Sequence, residues 1–420
     1  MKVAIITSSF PYLPGEQFIE TEIGFWGNTT FDEVYLLPSS SKGLARPVPE
    51  NVFVDRGLAK KTSKVRCAIR ALISSVFYRE VKFLYANRNI SVESVFLAWK
   101  SAATFLRSRT LLFNWLEKKG PFELIYTYWN AEYSYAACVA KEQGLVRKVI
   151  SRAHRFDLYE ERRPKKYMPL KRQFIQKLDQ LYVLSNEAKA YVNRTYALET
   201  GKISVSPLGV GVPQIICLAS SPQDFKVVSV SFCVPVKRVD KIIGAIARFA
   251  SLKPELNISW THIGEGLLKD GLMRLARDEF KELGNVSFQF PGHLSNKEVR
   301  SLYSEQEVDC FVNASESEGV PVSIMEAMIA GVPIIAPDVG GISELVGKDC
   351  GVLMSADPDI DELCEAFLTL VVAAKSEKVR MCARERASKL HDAEKNYPAF
   401  IKSLEKLVLT PETGHMTTSQ

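Results

Sequence analysis

The sequence predicts an α/β protein built from two consecutive doubly wound domains, and three observations carry that expectation. Short β-branched runs alternate with longer helical stretches along the chain, the pattern of βαβ units that make a parallel sheet. The alternation is interrupted once, by the Pro-, Gly- and Ser-dense segment SPLGVGVPQIICLASSPQ at 206–223, and then restarts. The length, 420 residues, is room for two or three domains at ~100–200 residues each, with large buried cores.

Taken in order, the first series of strands is VAIITS at 3–8, VYLL at 34–37, ELIYTY at 123–128, VISRAH at 149–154, QLYVLS at 180–185 and KISVS at 202–206. The second series is KVVSVS at 226–231, NISWTHIG at 257–264, NVSFQF at 285–290, VDCFVN at 308–313, VPIIAP at 332–337 and GVLM at 351–354. Helical stretches follow at 360–375, 377–390 and 395–409. The expected division is a first domain over 1–206, a linker over 207–223 and a second domain over 224–392. A terminal helix and tail at 393–420 complete it, with the helix returning to the first domain and TPETGHMTTSQ left loose because it has nothing to bury. In open parallel sheets ligands sit beyond the carboxyl ends of the strands, so the gap between two such domains is the expected active site.

Composition narrows the class. Hydrophobic residues make up 46% and charged ones 24%, with 23 Gly and 20 Pro, as in a globular protein and unlike a disordered or collagenous one. Eight cysteines lie scattered without CxxC pairs, the usage of reduced thiols in the cytoplasm, which predicts neither disulfides nor a structural metal. The opening MKVAIITSSFPYLPG has too short an apolar run for a signal peptide and reads as a first strand. No apolar run approaches the ~18 residues of a spanning helix. Net charge is +6, but between Arg56 and Lys119 fourteen Lys or Arg face three Glu, so the basic excess is concentrated there.

The most informative segment is ASESEGVPVSIMEAMIAGVPIIAPDVGGISELV at 314–346. It leaves a strand at Asn313, turns through Gly319 and starts a helix at Pro321, since proline suits a first helical position; Gly331 and Pro333 stop that helix. The free N–H groups from Gly319 to Ser323 then offer a site for phosphate. Glu318 lies just before the helix, and Glu326 lies within it among Ile324, Met325, Ala327 and Met328, where a carboxylate is expensive unless hydrogen-bonded. The two hydroxyls of a ribose would satisfy Glu326, and sugar hydroxyls Glu318. The plain alternative is that Glu318 is a solvated loop residue and Glu326 pairs with a nearby cation.

This Glu318-x7-Glu326 segment resembles the signature of retaining glycosyltransferases of family 4, a GT-B group that includes many bacterial polysaccharide-assembly enzymes. The likeness extends through VSVSFCVPVKRVDKIIGAI (228–246), WTHIGEGLLKDGL (260–272) and FPGHLSNKEVRSLY (290–303), and more loosely through FPYLPGEQFIETEI (10–23) and SRAHRFDLYEE (151–161). It implies the GT-B fold, two Rossmann-like domains facing across a cleft. It also implies transfer of a sugar, with retained anomeric configuration, from a UDP- or GDP-sugar to a hydroxyl of a lipid-linked or oligosaccharide acceptor, as in surface polysaccharide, lipopolysaccharide or capsule synthesis. By the resemblance Lys237 contacts the donor diphosphate, Glu326 the ribose and Glu318 the transferred sugar, while the backbone of Gly319, Val320, Pro321 and Val322 meets sugar and phosphate. A lysine and a helix amino terminus stabilise the charge of a departing diphosphate, so no essential metal and no cofactor is expected. The family's usual Arg five positions before the Lys is here Phe232, and Arg238, where the family usually has Gly, is the candidate replacement.

His154 follows the strand run and precedes Arg155, Phe156 and Asp157, so it emerges at a strand end. The family has a comparable His near the transferred sugar; a lone His is otherwise a structural residue. The first loop, with Gly15 and Glu16, resembles the family's glycine-containing loop over phosphate and acceptor. The run His262-Ile-Gly264-Glu-Gly266 lacks the third glycine of a dinucleotide fingerprint, which disfavours an NAD enzyme. Asp357-Pro-Asp359-Ile-Asp361 has DxD spacing and reads as the cap of the following helix.

In the basic stretch, KVRCAIRALISSVFYREVKFLY at 64–85 interleaves apolar and cationic residues. It reads either as a surface held against anionic lipid at the inner face of the cytoplasmic membrane, or as a helix whose apolar side is core. No nucleic-acid motif accompanies the charge. Two rival readings remain open for the whole chain: a nucleotide-sugar epimerase on the same fold, and a non-catalytic partner in a polysaccharide assembly.

Overall fold

The computed structural model describes residues 1–13 and 15–410; the tail expected to be loose lies, from residue 411 on, outside the described residues, as does Pro14 of the first loop. The chain divides into two units, one made of Met1–Ser206 with the segment from Tyr397 onward, the other of Pro207–Asn396.

The first unit contains β1 (Lys2–Thr7), β2 (Glu33–Pro38), β3 (Val52–Val54), β4 (Phe122–Thr127), β5 (Val146–Ala153), β6 (Gln180–Val183) and β7 (Ile203–Val205). They form one parallel sheet in the order β3-β2-β1-β4-β5-β6-β7. Every residue of β1 after Lys2 is buried, because helices cover both faces of a parallel sheet. Side chains alternate between the faces: Ala4 and Ile6 join a core with Leu112, Trp115 and Phe174, while Val3 and Ile5 join one with Trp26, Tyr126, Phe400 and Leu404. The last two belong to the terminal helix Ala393–Leu409. The edge strand β3 was not expected; it has only three residues, and Phe53 and Val54 are exposed, so its burial pattern carries little signal.

The second unit contains β8 (Asp224–Val230), β9 (Asn257–Ile263), β10 (Val286–Gly292), β11 (Cys310–Val312), β12 (Ile334–Pro337) and β13 (Gly351–Met354), again all parallel, in the order β10-β9-β8-β11-β12-β13. Its core includes Phe225, Ile243, Phe249, Trp260, Ile335 and Phe367. Asp359 caps the helix Ile360–Ala373 by accepting from the Glu362 amide at 2.8 Å, Asp357 pairs with Lys241 at 2.7 Å and Asp361 with Arg248 at 2.6 Å, so all three DxD carboxylates have structural partners.

Each sheet reverses its winding once. The reversals fall between β1 and β4 and between β8 and β11, and in each unit the loops leaving the carboxyl ends of those strands stand at a switch point, where open sheets of this kind take ligands. Those loops hold Ser8–Glu16 and Tyr128–Glu132 in the first unit, and Ser231–Lys237 and Asn313–Gly319 in the second.

Candidate active site

At the second unit's switch point Lys237 closes the turn Pro235–Lys237, and its Nζ lies 2.5 Å from Oε1 of Glu318. The same oxygen accepts from Asn313 Nδ2 at 3.3 Å, while Asn313 Oδ1 accepts from the Ser315 amide at 2.8 Å and fixes the turn that carries Glu318. Glu318 is therefore not a solvated loop residue: it is buried and ion-paired. Gly264 and Gly266 sit at positive φ against the Ser231–Cys233 loop, and a Cβ on Gly264 would lie 1.9 Å from the Ser231 carbonyl oxygen. Their purpose is close backbone approach.

Pro321 is the cap of the helix Val322–Ile329 and not its first turn; its extended backbone (φ −72°, ψ 123°) leaves its carbonyl to accept from the Ile324 and Met325 amides. The helix thus starts one residue later than the sequence suggested. Among the described residues the amides of Gly319, Val320, Val322 and Ser323 donate to nothing. Gly331, at φ +82°, ends the helix, with the Val332 amide reaching back to Ala327.

Glu326 is 6% exposed and has no hydrogen-bond or ion-pair partner among the described residues. The alternative of an ion-paired Glu326 does not hold. Burial pushes its carboxyl up to about 7, opposed by the charge of Arg300. Near it lies the buried hydroxyl of Tyr303, also without a partner. Two adjacent polar groups left unsatisfied inside a packed unit mark a place that a ligand completes.

Arg238 occupies the left-handed region (φ +47°, ψ 42°), where glycine is the easy residue, and is held by Glu316 at 3.1 Å and Asp240 at 3.0 Å. Its charge is thus balanced by two carboxylates. Phe232, at the end of β8, is exposed.

At the first unit's switch point the structure gives Glu16 a task the sequence did not suggest. Its carboxylate accepts from the amides of Ser8, Ser9 and Phe10 at 2.9, 2.5 and 2.6 Å and from Trp129 Nε1 at 2.5 Å. That carboxylate clamps the loop after β1 to the loop after β4 and is not available to an acceptor. Gly15 packs against Ser9, and its carbonyl accepts from Arg46 at 2.9 Å.

His154, one residue past β5, is buried in an aromatic box of Tyr128, Trp129 and Phe18, with ring centroids at 5.0, 4.6 and 5.9 Å. Both its ring nitrogens lack partners. Burial, then the nearby charge of Arg152, depresses it to about 3, so the imidazole is neutral. Arg152 is itself buried and paired with Glu22 at 2.7 Å, across 130 residues of sequence, and stands 4.2 Å from the Phe400 ring centroid.

Beside this box lies a cavity of about 220 Å³ that sequence reasoning missed. Asn130 reaches it from the loop after β4, and its Nδ2 is buried without a partner, while its Oδ1 accepts from Lys171 at 2.7 Å. Glu132 opens the helix Glu132–Glu142 and its carboxyl, raised by burial, bonds to nothing beyond its own amide. Tyr135 and Tyr167 also line it. The available signal was WNAE directly after the strand run ELIYTY: polar residues at a strand's carboxyl end.

Comparison with known proteins bears on the family and the fold. Residues 224–372 match the family model described as glycosyl transferases group 1. The chain is similar to the O-antigen biosynthesis glycosyltransferase WbnH of Escherichia coli, 28% identical over 169 residues, 38% of this chain and 45% of that protein. It is also similar to the MMP alpha-(1->4)-mannosyltransferase of Mycolicibacterium hassiacum, 25% identical over 201 residues, 47% of this chain and 46% of the relative. The chain thus spans less than half the length of these relatives. Among solved structures, HepE of Anabaena in complex with UDP and glucose aligns over 96% of this chain and 99% of its own with a TM-score of 0.66 at 15% identity. The lipopolysaccharide outer core galactosyltransferase WaaB aligns over 97% and 99% with a TM-score of 0.64 at 16% identity.

Proposed function

We propose that the chain, whose residues 224–372 match the group 1 glycosyl transferase model and which has the GT-B fold, moves a sugar from a nucleoside diphosphate sugar, a UDP- or GDP-sugar, to a hydroxyl of a lipid-linked or oligosaccharide acceptor, with the anomeric configuration retained. The observation that carries the reading is Glu326: a buried carboxyl with no partner, in the helix whose amino-terminal end presents four unused backbone amides. A nucleotide offers what is missing on both counts, a diol for the carboxylate and phosphates for the amides.

In this reading Lys237 and the amides of Gly319, Val320, Val322 and Ser323 take up the negative charge that grows on the departing diphosphate. Glu318, held by Lys237 and Asn313 before the donor arrives, turns to hydroxyls of the transferred sugar. Neutral His154 accepts or donates one hydrogen bond to that sugar without adding a charge, which suits a centre developing positive character. No side chain is a ready covalent nucleophile at the second unit's switch point, so attack from the face the diphosphate leaves, with a phosphate oxygen receiving the acceptor proton, fits the residues present. Asn130 and Glu132 in the first unit are the candidates for holding the acceptor hydroxyl: one offers a donor, the other an acceptor. The relatives' printed roles in O-antigen and lipopolysaccharide assembly favour a surface glycan, made in the cytoplasm, as the product's destination.

The test is a binding titration of UDP, UDP-glucose, UDP-N-acetylglucosamine and GDP-mannose to the full chain and to Glu326→Ala. Saturable binding of one of them that weakens by at least tenfold in the variant supports the reading. Binding of none, or equal binding to both proteins, rejects it.

A further inference from the structure

We propose that the helices Lys64–Leu72 and Ser75–Ala86, with the groove beside them, form a seat for anionic phospholipid. The helix Lys64–Leu72 is amphipathic, yet its only buried residue is Ala71. Val65, Ile69 and Ile73 are 69, 61 and 78% exposed, so the side that a core helix would bury faces outward. Tyr78 and Tyr85 of the next helix are exposed too. Lys64, Arg66, Arg70, Arg79 and Lys82 alternate with these apolar residues and are all exposed.

Next to Ile73 a groove of about 390 Å³ runs between these helices and the long helix Val92–Lys119. Its floor is apolar, made by Val76, Phe105, Leu106 and Val139, and Arg70 and Arg109 line it. Neither arginine has a carboxylate partner among the described residues; the Arg109 guanidinium stands over the Phe113 ring, 5.1 Å from its centroid. An apolar slot with two uncompensated guanidinium groups complements a molecule carrying a phosphate on a hydrocarbon chain. The surrounding stretch, Arg56 to Lys119, carries fourteen cations against three carboxylates, which selects a negatively charged bilayer over a neutral one. Interfacial Tyr and aliphatic residues then enter the headgroup layer while the basic residues meet lipid phosphate. This inference concerns the first unit alone and does not depend on the transferase reading.

The experiment is flotation of the full chain with phosphatidylcholine vesicles and with vesicles one third phosphatidylglycerol, at low and high salt. The proposal expects binding to the anionic vesicles only, released by salt. Arg70→Glu with Arg109→Glu should weaken partitioning by about thirtyfold or more, from roughly fivefold losses per cation removed. Ile69→Ser with Ile73→Ser, changing exposed side chains only, should weaken flotation with the anionic vesicles at low salt as well. Failure of the wild type to float with anionic vesicles at low salt overturns the proposal, as does flotation of both double variants at wild-type level. Thermal unfolding, measured in parallel, should be the same in all three proteins, so a lowered midpoint reports a damaged fold and not a lost lipid seat.

Discussion

The Lys237 ammonium and the Glu318 carboxylate, 81 residues apart in sequence, meet at 2.5 Å at the switch point of the second sheet. Each is a residue that the donor reading needs, and each is held in position by the other before any ligand is bound. In the proposed donor reading a diphosphate entering there would compete with Glu318 for the lysine and free the carboxylate for sugar hydroxyls. Lys237→Ala should therefore lower kcat/KM by on the order of 10²-fold or more, because the cation facing the leaving group is gone. Glu318→Gln should lower kcat with smaller change in nucleotide affinity. Steady-state kinetics with the donor identified by titration checks both.

Glu326 links affinity to stability. Its folded-state value of about 7 lies above the ordinary 4.5, so between those values the folded chain binds more protons than the unfolded one, and stability falls as pH rises through that window. Glu326→Gln removes the cost of a buried bare carboxylate, worth roughly 3 kcal/mol above pH 7. Thermal unfolding should show the variant more stable than wild type at pH 8 and nearly equal at pH 4, while its nucleotide binding is weaker. A wild-type-like pH profile in the variant would contradict the assignment.

His154 has the opposite sign. Its value, about 3, lies below the ordinary 6.5, so the unfolded chain binds the extra proton in that range and stability declines as pH drops below 6.5. His154→Asn should flatten the acid limb of the stability curve and reduce turnover. The alkaline limb of the activity profile should be unmoved, since the imidazole does not titrate there.

Glu132→Ala should raise the acceptor KM and leave donor binding unchanged, because this carboxyl lines the first unit's cavity with Asn130, whereas the proposed donor groups belong to the second unit. Donor hydrolysis by water, followed by nucleoside diphosphate release, should persist while transfer to the acceptor falls. Equal losses in both reactions would remove Glu132 from the acceptor side.

Glu16 predicts a stability effect first. Glu16→Ala leaves three loop amides and the Trp129 indole without their shared acceptor and should cost on the order of 3 kcal/mol in urea unfolding. Glu16→Gln should recover part of that, since one amide oxygen can still accept.

The alternation of strands and helices was legible from residue spacing, and both sheets follow it, because a strand buried on both faces is a continuous apolar run. The site segment 314–346 was legible for a different reason: its turn, proline and glycine chemistry is local. What escaped is whatever depends on partners distant in sequence. Glu16 looked like a ligand residue because nothing local shows that four donors converge on it. Arg152 and Glu22 give no hint that they are paired, and the unsatisfied Asn130 amide exists only once Lys171 and Asp157 fold over it. The outward apolar side of Lys64–Leu72 was ambiguous because periodicity reports amphipathicity and not which side faces the core.

The closing helix has a bearing on how the chain comes into being on the ribosome. Pro207–Asn396 is continuous and can complete itself as soon as it emerges, whereas the core around Tyr126 and Tyr182 awaits Phe400, Leu404 and Val408, which are translated only after the whole second unit. The portion made first is thus the portion finished last, and a nascent chain halted before Tyr397 would hold one mature half and one still exposing its hydrophobic interior to chaperones.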